Sequence, residues 1–180
     1  MAQPKLLGIS GSLRAGSFNT LLVRECARMF GACDFALADL NLPLFNADLE
    51  ADGTPGSVAA LLEAIAVADA VVVSTPEYNG NIPGVLKNAL DWVSRTKPTP
   101  LEGKPLAIVS AAAGRSGGAR AQYDLRLSLV AFRPRIAASP EVMIAGASKA
   151  FGEDGQLADP ASAEFLGTAM DALKAEMARG

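Results

Sequence analysis

Apolar residues along this chain follow two alternating rhythms. Short unbroken runs, Leu6-Leu7-Gly8-Ile9, Ala70-Val71-Val72-Val73-Ser74 and Pro105-Leu106-Ala107-Ile108-Val109, are separated by stretches whose apolar positions recur every three or four residues. The first pattern is that of a strand covered on both faces, and the second that of a helix with one buried side. The first helical stripe carries Leu21, Leu22, Cys26, Met29 and Phe30. Further helices are expected over Val58 to Ala68, with Leu61, Leu62 and Ile65, and over Gly84 to Val93, with Val85, Ala89, Trp92 and Val93 on one side. Two more should cover Ala119 to Phe132 and about Ala161 to Ala178, the last turning Phe165, Leu166, Ala169, Met170, Leu173 and Met177 inward. Asp34 to Leu37 reads as a weaker strand. A fifth strand lies within Ile136 to Ile144, where Pro140 blurs its limits because proline cannot donate to a ladder.

Five strand–helix units predict an α/β fold, a doubly wound five-stranded parallel sheet with helices on both faces. The flavodoxin-like strand order 2-1-3-4-5 suits this count, and it places a ligand at the switch point between the first and third strands. The chain has 180 residues and contains no repeat, linker-like stretch or low-complexity segment, so residues 1–180 are expected to form a single domain.

The loops after the first and third strands carry the candidate chemistry. The first offers Ser10, Ser12, Ser17 and Asn19 as hydrogen-bonding side chains and Arg14 as a fixed positive charge, with Gly11 and Gly16 to let the backbone turn tightly. It then enters a helix, whose free N–H groups and dipole favour an anion such as a terminal phosphate. Its spacing is neither a Walker motif nor Gly-x-Gly-x-x-Gly, and an ordinary capped turn remains open on composition alone. The second loop, Thr75 to Gly84, presents Tyr78 to a flat heterocycle, and Glu77 and Asn79 to its polar rim. Ring positioning is the better role for Glu77, with general acid catalysis the alternative. The loop Ser110 to Gly118, after the fourth strand, joins the same rim with small residues.

Composition narrows the chemistry. Net charge is −3 with a pI near 5.0, which invites neither nucleic acid nor an anionic membrane. Arg115, Arg120, Arg126, Arg133 and Arg135 are read as a solvated or interfacial helix face rather than a polyanion site. No apolar run approaches a membrane span, and the protein is expected to be cytoplasmic. Cys26 and Cys33 match no disulfide framework or zinc motif. The chain has no histidine, which removes Ser-His-Asp and Cys-His schemes and His-ligated metals. No catalytic side chain and no metal are expected, and the chemistry falls to a bound cofactor.

Gly11-Ser12-Leu13-Arg14-x-x-Ser17-Phe18-Asn19, Pro76-Glu77-Tyr78-Asn79 through Pro83-Gly84-x-Leu86-Lys87-Asn88-Ala89-x-Asp91-Trp92, and Gly117-Gly118-Ala119-Arg120-Ala121-Gln122 together resemble the NADPH-dependent FMN reductase family, and within it the bacterial quinone, chromate and azo-dye reductases. Asp39 to Asn46 fits the same pattern. The resemblance implies bound FMN, with Ser12, Arg14, Ser17, Phe18 and Asn19 at its phosphate. Pro76, Glu77, Tyr78 and Asn79 would line the ribityl chain and isoalloxazine, and Ala112 and Gly114 would approach the ring. It further implies a ping-pong oxidoreductase. Hydride would pass from NADPH or NADH to flavin, followed by two-electron reduction of quinones or of azo, nitro or chromate acceptors. A homodimer or homotetramer is implied, through the helix holding Leu86, Ala89, Leu90 and Trp92 and through Arg120, Tyr123 and Glu141. A flavodoxin-type electron carrier and a non-catalytic FMN-binding regulator are the other readings, and Arg115 is a candidate for attracting the nicotinamide nucleotide's phosphates.

Overall fold

The computed structural model describes residues 3–179. Its strands are β1 (Lys5–Ser10), β2 (Asp34–Leu37), β3 (Ala70–Thr75), β4 (Pro105–Ala111), β5 (Arg135–Ile136) and β6 (Val142–Ile144). Its helices are α1 (Phe18–Phe30), α2 (Ala47–Ala51), α3 (Gly56–Val67), α4 (Gly84–Val93), α5 (Ala119–Leu129) and α6 (Pro160–Met177). All pairings within the sheet are parallel, in the order β2-β1-β3-β4-β5, with β6 also on β4. The expected order therefore holds.

The expected fifth strand is two short ones. Leu106 faces Ile136, but Val109 faces Val142, so the register slips by three residues between them. Pro140 lies in that interruption, where no ladder bond is asked of it. The short helix α2 lies in a stretch given no helix by its periodicity. The Asn46 side chain caps it by accepting from the Asp48 N–H.

Every residue of β3 and β4 is buried, as their unbroken apolar runs require. Their side chains alternate between two cores. Leu7, Ile9, Val71, Val73, Leu106 and Ile108 face α3, α4 and α5. Leu6, Ala70, Val72, Ala107, Val109 and Ala111 face α1 and α6. On α6, Leu166, Ala169, Met170 and Leu173 are buried, but Phe165, expected inside, is exposed. Met177 is only partly buried. No helix among the described residues is long and apolar enough to cross a membrane.

Of the five arginines read as a solvated or interfacial face, Arg120 pairs with Glu77, Arg133 with Glu102 and Arg135 with Glu176. Cys26 is fully buried in the core, and burial pushes its thiol far above the ordinary range, leaving it inert.

Candidate functional site

The carboxyl ends of β1, β3 and β4 open onto one cleft of about 390 Å³, within the range of small-molecule sites, roughly 300–1,000 Å³. Ser12, Arg14, Ser17, Phe18 and Asn19 line it from the first loop, Pro76, Glu77 and Tyr78 from the second, and Ala112 and Gly114 from the third. Three segments spread between Ser12 and Ser116 are thus brought together by the parallel sheet, as the strand order demands.

The first loop is organised around the start of α1. The Ser17 hydroxyl accepts from the N–H groups of Asn19 and Thr20, and its side chain is the helix cap. The amide of Phe18 has no acceptor within the helix, and among the described residues those of Ala15 and Gly16 have no protein acceptor. Among the described residues, Arg14 is the only cationic side chain lining the cleft. Its guanidinium lies 5.2 Å from the centroid of the Phe18 ring, which stacks in turn on Phe151, 6.2 Å away and within 5° of parallel. Gly16 has open space where a side chain would begin and no positive φ, so the tight turn expected of it is not what selects glycine there.

Asn19 lines the cleft and also braces it. Its Nδ2 donates to the Ala111 carbonyl at 2.9 Å, and its Oδ1 accepts from Ser74 Oγ at 2.8 Å and the Ala111 N–H at 3.1 Å. The amide ties α1 to the ends of β3 and β4, with its oxygen and one of its two N–H donors engaged in shaping the cleft. Asn79, by contrast, does not line the cleft. It has φ of 54° and Gly80 has φ of 76°, while Tyr78 and Asn81 exchange backbone hydrogen bonds of 3.0 and 3.1 Å across them. Asn-Gly fills a tight turn whose two central residues are both left-handed, the residue pair favoured there. The sequence signal was present in this dipeptide.

Glu77 is nearly buried, and its Oε2 accepts from the Arg120 N–H at 3.1 Å, with the guanidinium of Arg120 3.7 Å from Oε1. The carboxylate therefore sits at the N-terminus of α5, where the helix dipole favours it. Tyr78 is 54% exposed and leaves its ring available at the rim.

The third loop is drawn against the sheet. Ser110 Oγ donates to the Gly117 carbonyl at 2.6 Å and accepts from Gln122 Nε2 at 2.8 Å, which also donates to the Val142 carbonyl. Gly118 has φ of 100°, and a Cβ there would fall 2.7 Å from Ser110 Cβ, so only glycine lets α5 start this close to β4. Ala111, Ala113 and Ser116 complete the cleft wall and were not among the expected contacts. They continue the small-residue run that pointed to Ala112 and Gly114.

The donor set fits a phosphate-bearing flat cofactor. The first loop brings an arginine, two serines and a helix start to the cleft, and the other two bring small residues and an exposed tyrosine. Comparison with known proteins agrees. The chain is 45% identical over 172 residues to an NAD(P)H-dependent FMN reductase from Pseudomonas aeruginosa, covering 94% of this chain and 93% of that one. It is 43% identical over 143 residues to a quinone reductase from Escherichia coli K12, covering 77% and 76%. Its fold superposes on the flavoenzyme NAD(P)H:(acceptor) oxidoreductase of Paracoccus denitrificans with a TM-score of 0.89 at 34% identity, over 98% of each chain. Residues 4–149 match the NADPH-dependent FMN reductase family, and the chain belongs to it.

Proposed function

We propose that this protein is an FMN-dependent NAD(P)H:quinone oxidoreductase acting as a single domain over residues 1–180. The observation that carries this is the meeting of an anion cradle and a small-residue, tyrosine-rimmed slot in one cleft. The names of the Pseudomonas and Escherichia relatives support the donor and the acceptor class. Bound there, FMN supplies hydride acceptance from NAD(P)H and two-electron transfer to the acceptor.

The chain's own residues bind and orient. Arg14, with Ser12 and the start of α1, offsets the phosphate charge. Ala112 and Gly114 leave room for the ring, and Pro76 and Tyr78 bound its other edge. Glu77 holds the second loop against α5. None of these residues is asked to move a proton, in keeping with a chain that has no histidine. A homodimer or homotetramer is part of the proposal. Tyr123, Leu127 and Val130 project an apolar stripe from α5 and its 3₁₀ extension, and the Tyr123 hydroxyl reaches Glu141 at 3.5 Å.

The test is anaerobic. Protein reconstituted with FMN is mixed with NADPH or NADH while the visible flavin band is followed, and a quinone is then added. Bleaching followed by recovery is expected. A bound flavin that neither nucleotide bleaches would move the protein to an electron carrier or regulator, and no bound flavin would overturn the site.

A further inference from the structure

The hairpin at residues 150–158 lies beyond the segment matched to the family, and the assigned function gives it no task. It is closed on itself: Gly152 N–H donates to the Gln156 carbonyl at 2.9 Å and Ala158 N–H to the Ala150 carbonyl at 3.0 Å, with Phe151 and Leu157 paired across it. It is also pinned to α1. Leu157 N–H donates to Glu25 Oε1 at 3.3 Å, and Glu25 is itself 3% exposed and gripped by Arg28 through two hydrogen bonds of 2.7 and 2.8 Å. A buried carboxylate with this many donors is a fixed point. The hairpin delivers the Phe151 ring parallel to and offset from that of Phe18, the first residue of α1, whose ring carries the Arg14 guanidinium.

Arg14 is exposed, and an arginine chain free in water surrenders most of its rotamer freedom when it grips an anion. A guanidinium resting on an aromatic face has lost part of that freedom beforehand. The Phe18 ring can serve as such a face only while its own orientation is held, and Phe151 stacks on it.

We propose that Phe151 is a positioning residue for the flavin phosphate, holding the Phe18 ring so that Arg14 is preset over the phosphate end of the cleft. This rests on the FMN assignment of the site. Its mark is selectivity, because the effect runs through Arg14 and so reaches only a ligand that carries the phosphate.

The experiment measures dissociation constants for FMN and riboflavin by quenching of flavin fluorescence in the full chain. Phe151→Leu keeps apolar bulk and removes the flat face, and Phe151→Tyr keeps the face. Phe151→Leu should weaken FMN about fivefold, the scale of one cation–π contact, while leaving riboflavin within twofold. Phe151→Tyr should restore FMN binding. In an Arg14→Ala background Phe151→Leu should change FMN affinity less than twofold, and this cycle decides the matter with FMN alone should riboflavin bind too weakly to titrate. Equal losses for both flavins, or a full fivefold loss persisting without Arg14, would overturn the proposal and leave the FMN site standing. Wild-type protein that binds neither flavin would instead bring down the site assignment on which it rests.

Discussion

At the scale of single residues the cleft divides into groups that face it and groups that build it. Ser17 belongs to both, because its hydroxyl caps α1 at the point where the anion is expected. Ser17→Ala should lower stability by about 1 kcal/mol in urea unfolding through loss of the cap. Ser17→Asp keeps a cap acceptor but places a carboxylate at a site 2% exposed and against the phosphate, so FMN affinity should fall at least tenfold, well beyond the loss in Ser17→Ala. If the two variants lose FMN equally and in step with stability, Ser17 acts on the flavin only through the fold. Residue types in the first loop were legible because anion binding needs a cation, hydroxyls and a helix start in one short segment. What sequence could not tell is which side chains are consumed internally. Asn19 and Ser17 are both polar residues in one motif, yet the Asn19 amide is braced against Ser74 and Ala111, more than fifty residues away in sequence. Asn79 looks like a rim ligand until its left-handed φ is known.

At the scale of elements, the strand runs and helical stripes announced themselves through burial on two faces or one. The failures have local causes. The slip between β5 and β6 is a register event, and a periodicity of apolar positions carries no record of the partner strand. The five-residue α2 is too short to show a stripe and is set by its Asn46 cap. The second loop and α5 are joined through Glu77, and this junction carries a prediction. Since its carboxylate accepts from the Arg120 amide, Glu77→Gln keeps an acceptor there, and Glu77→Ala removes it. Glu77→Gln should leave the pH profile of quinone reduction superimposable on wild type and turnover within about threefold, whereas Glu77→Ala should cost more, on the order of tenfold, by loosening the cleft wall. A limb of the pH profile that disappears in Glu77→Gln would make Glu77 a proton donor after all.

At the scale of the whole molecule, α6 closes the core on the face shared with α1, although it lies outside residues 4–149 matched to the family. Its cap is secure: Asp159 accepts from the Ser162 hydroxyl at 2.6 Å and from the Ser162 and Ala161 amides, and these bonds hold its carboxyl below the ordinary range. A depressed carboxyl contributes fully above the ordinary carboxylate value and loses that contribution as pH falls through its folded one, so this cap on α6 holds through neutral and mildly acidic pH and is lost only below the ordinary carboxylate range. The packing of α6 separates two residues that the sequence pattern treats alike. Leu166, Ala169, Met170 and Leu173 lie at the three-to-four spacing of one stripe and are buried, and Phe165 sits a quarter turn off it at 56% exposure. Met170→Ala should therefore lower the unfolding free energy by about 2–5 kcal/mol, read as a lower urea midpoint at unchanged slope. Phe165→Ala, on the same helix and larger, should change it by less than about 0.5 kcal/mol. Neither side chain lines the cleft, so both folded variants should hold FMN within twofold of wild type. A costly Phe165→Ala would mean that a second copy of the chain covers this face in solution, and its penalty would then shrink on dilution while that of Met170→Ala would not.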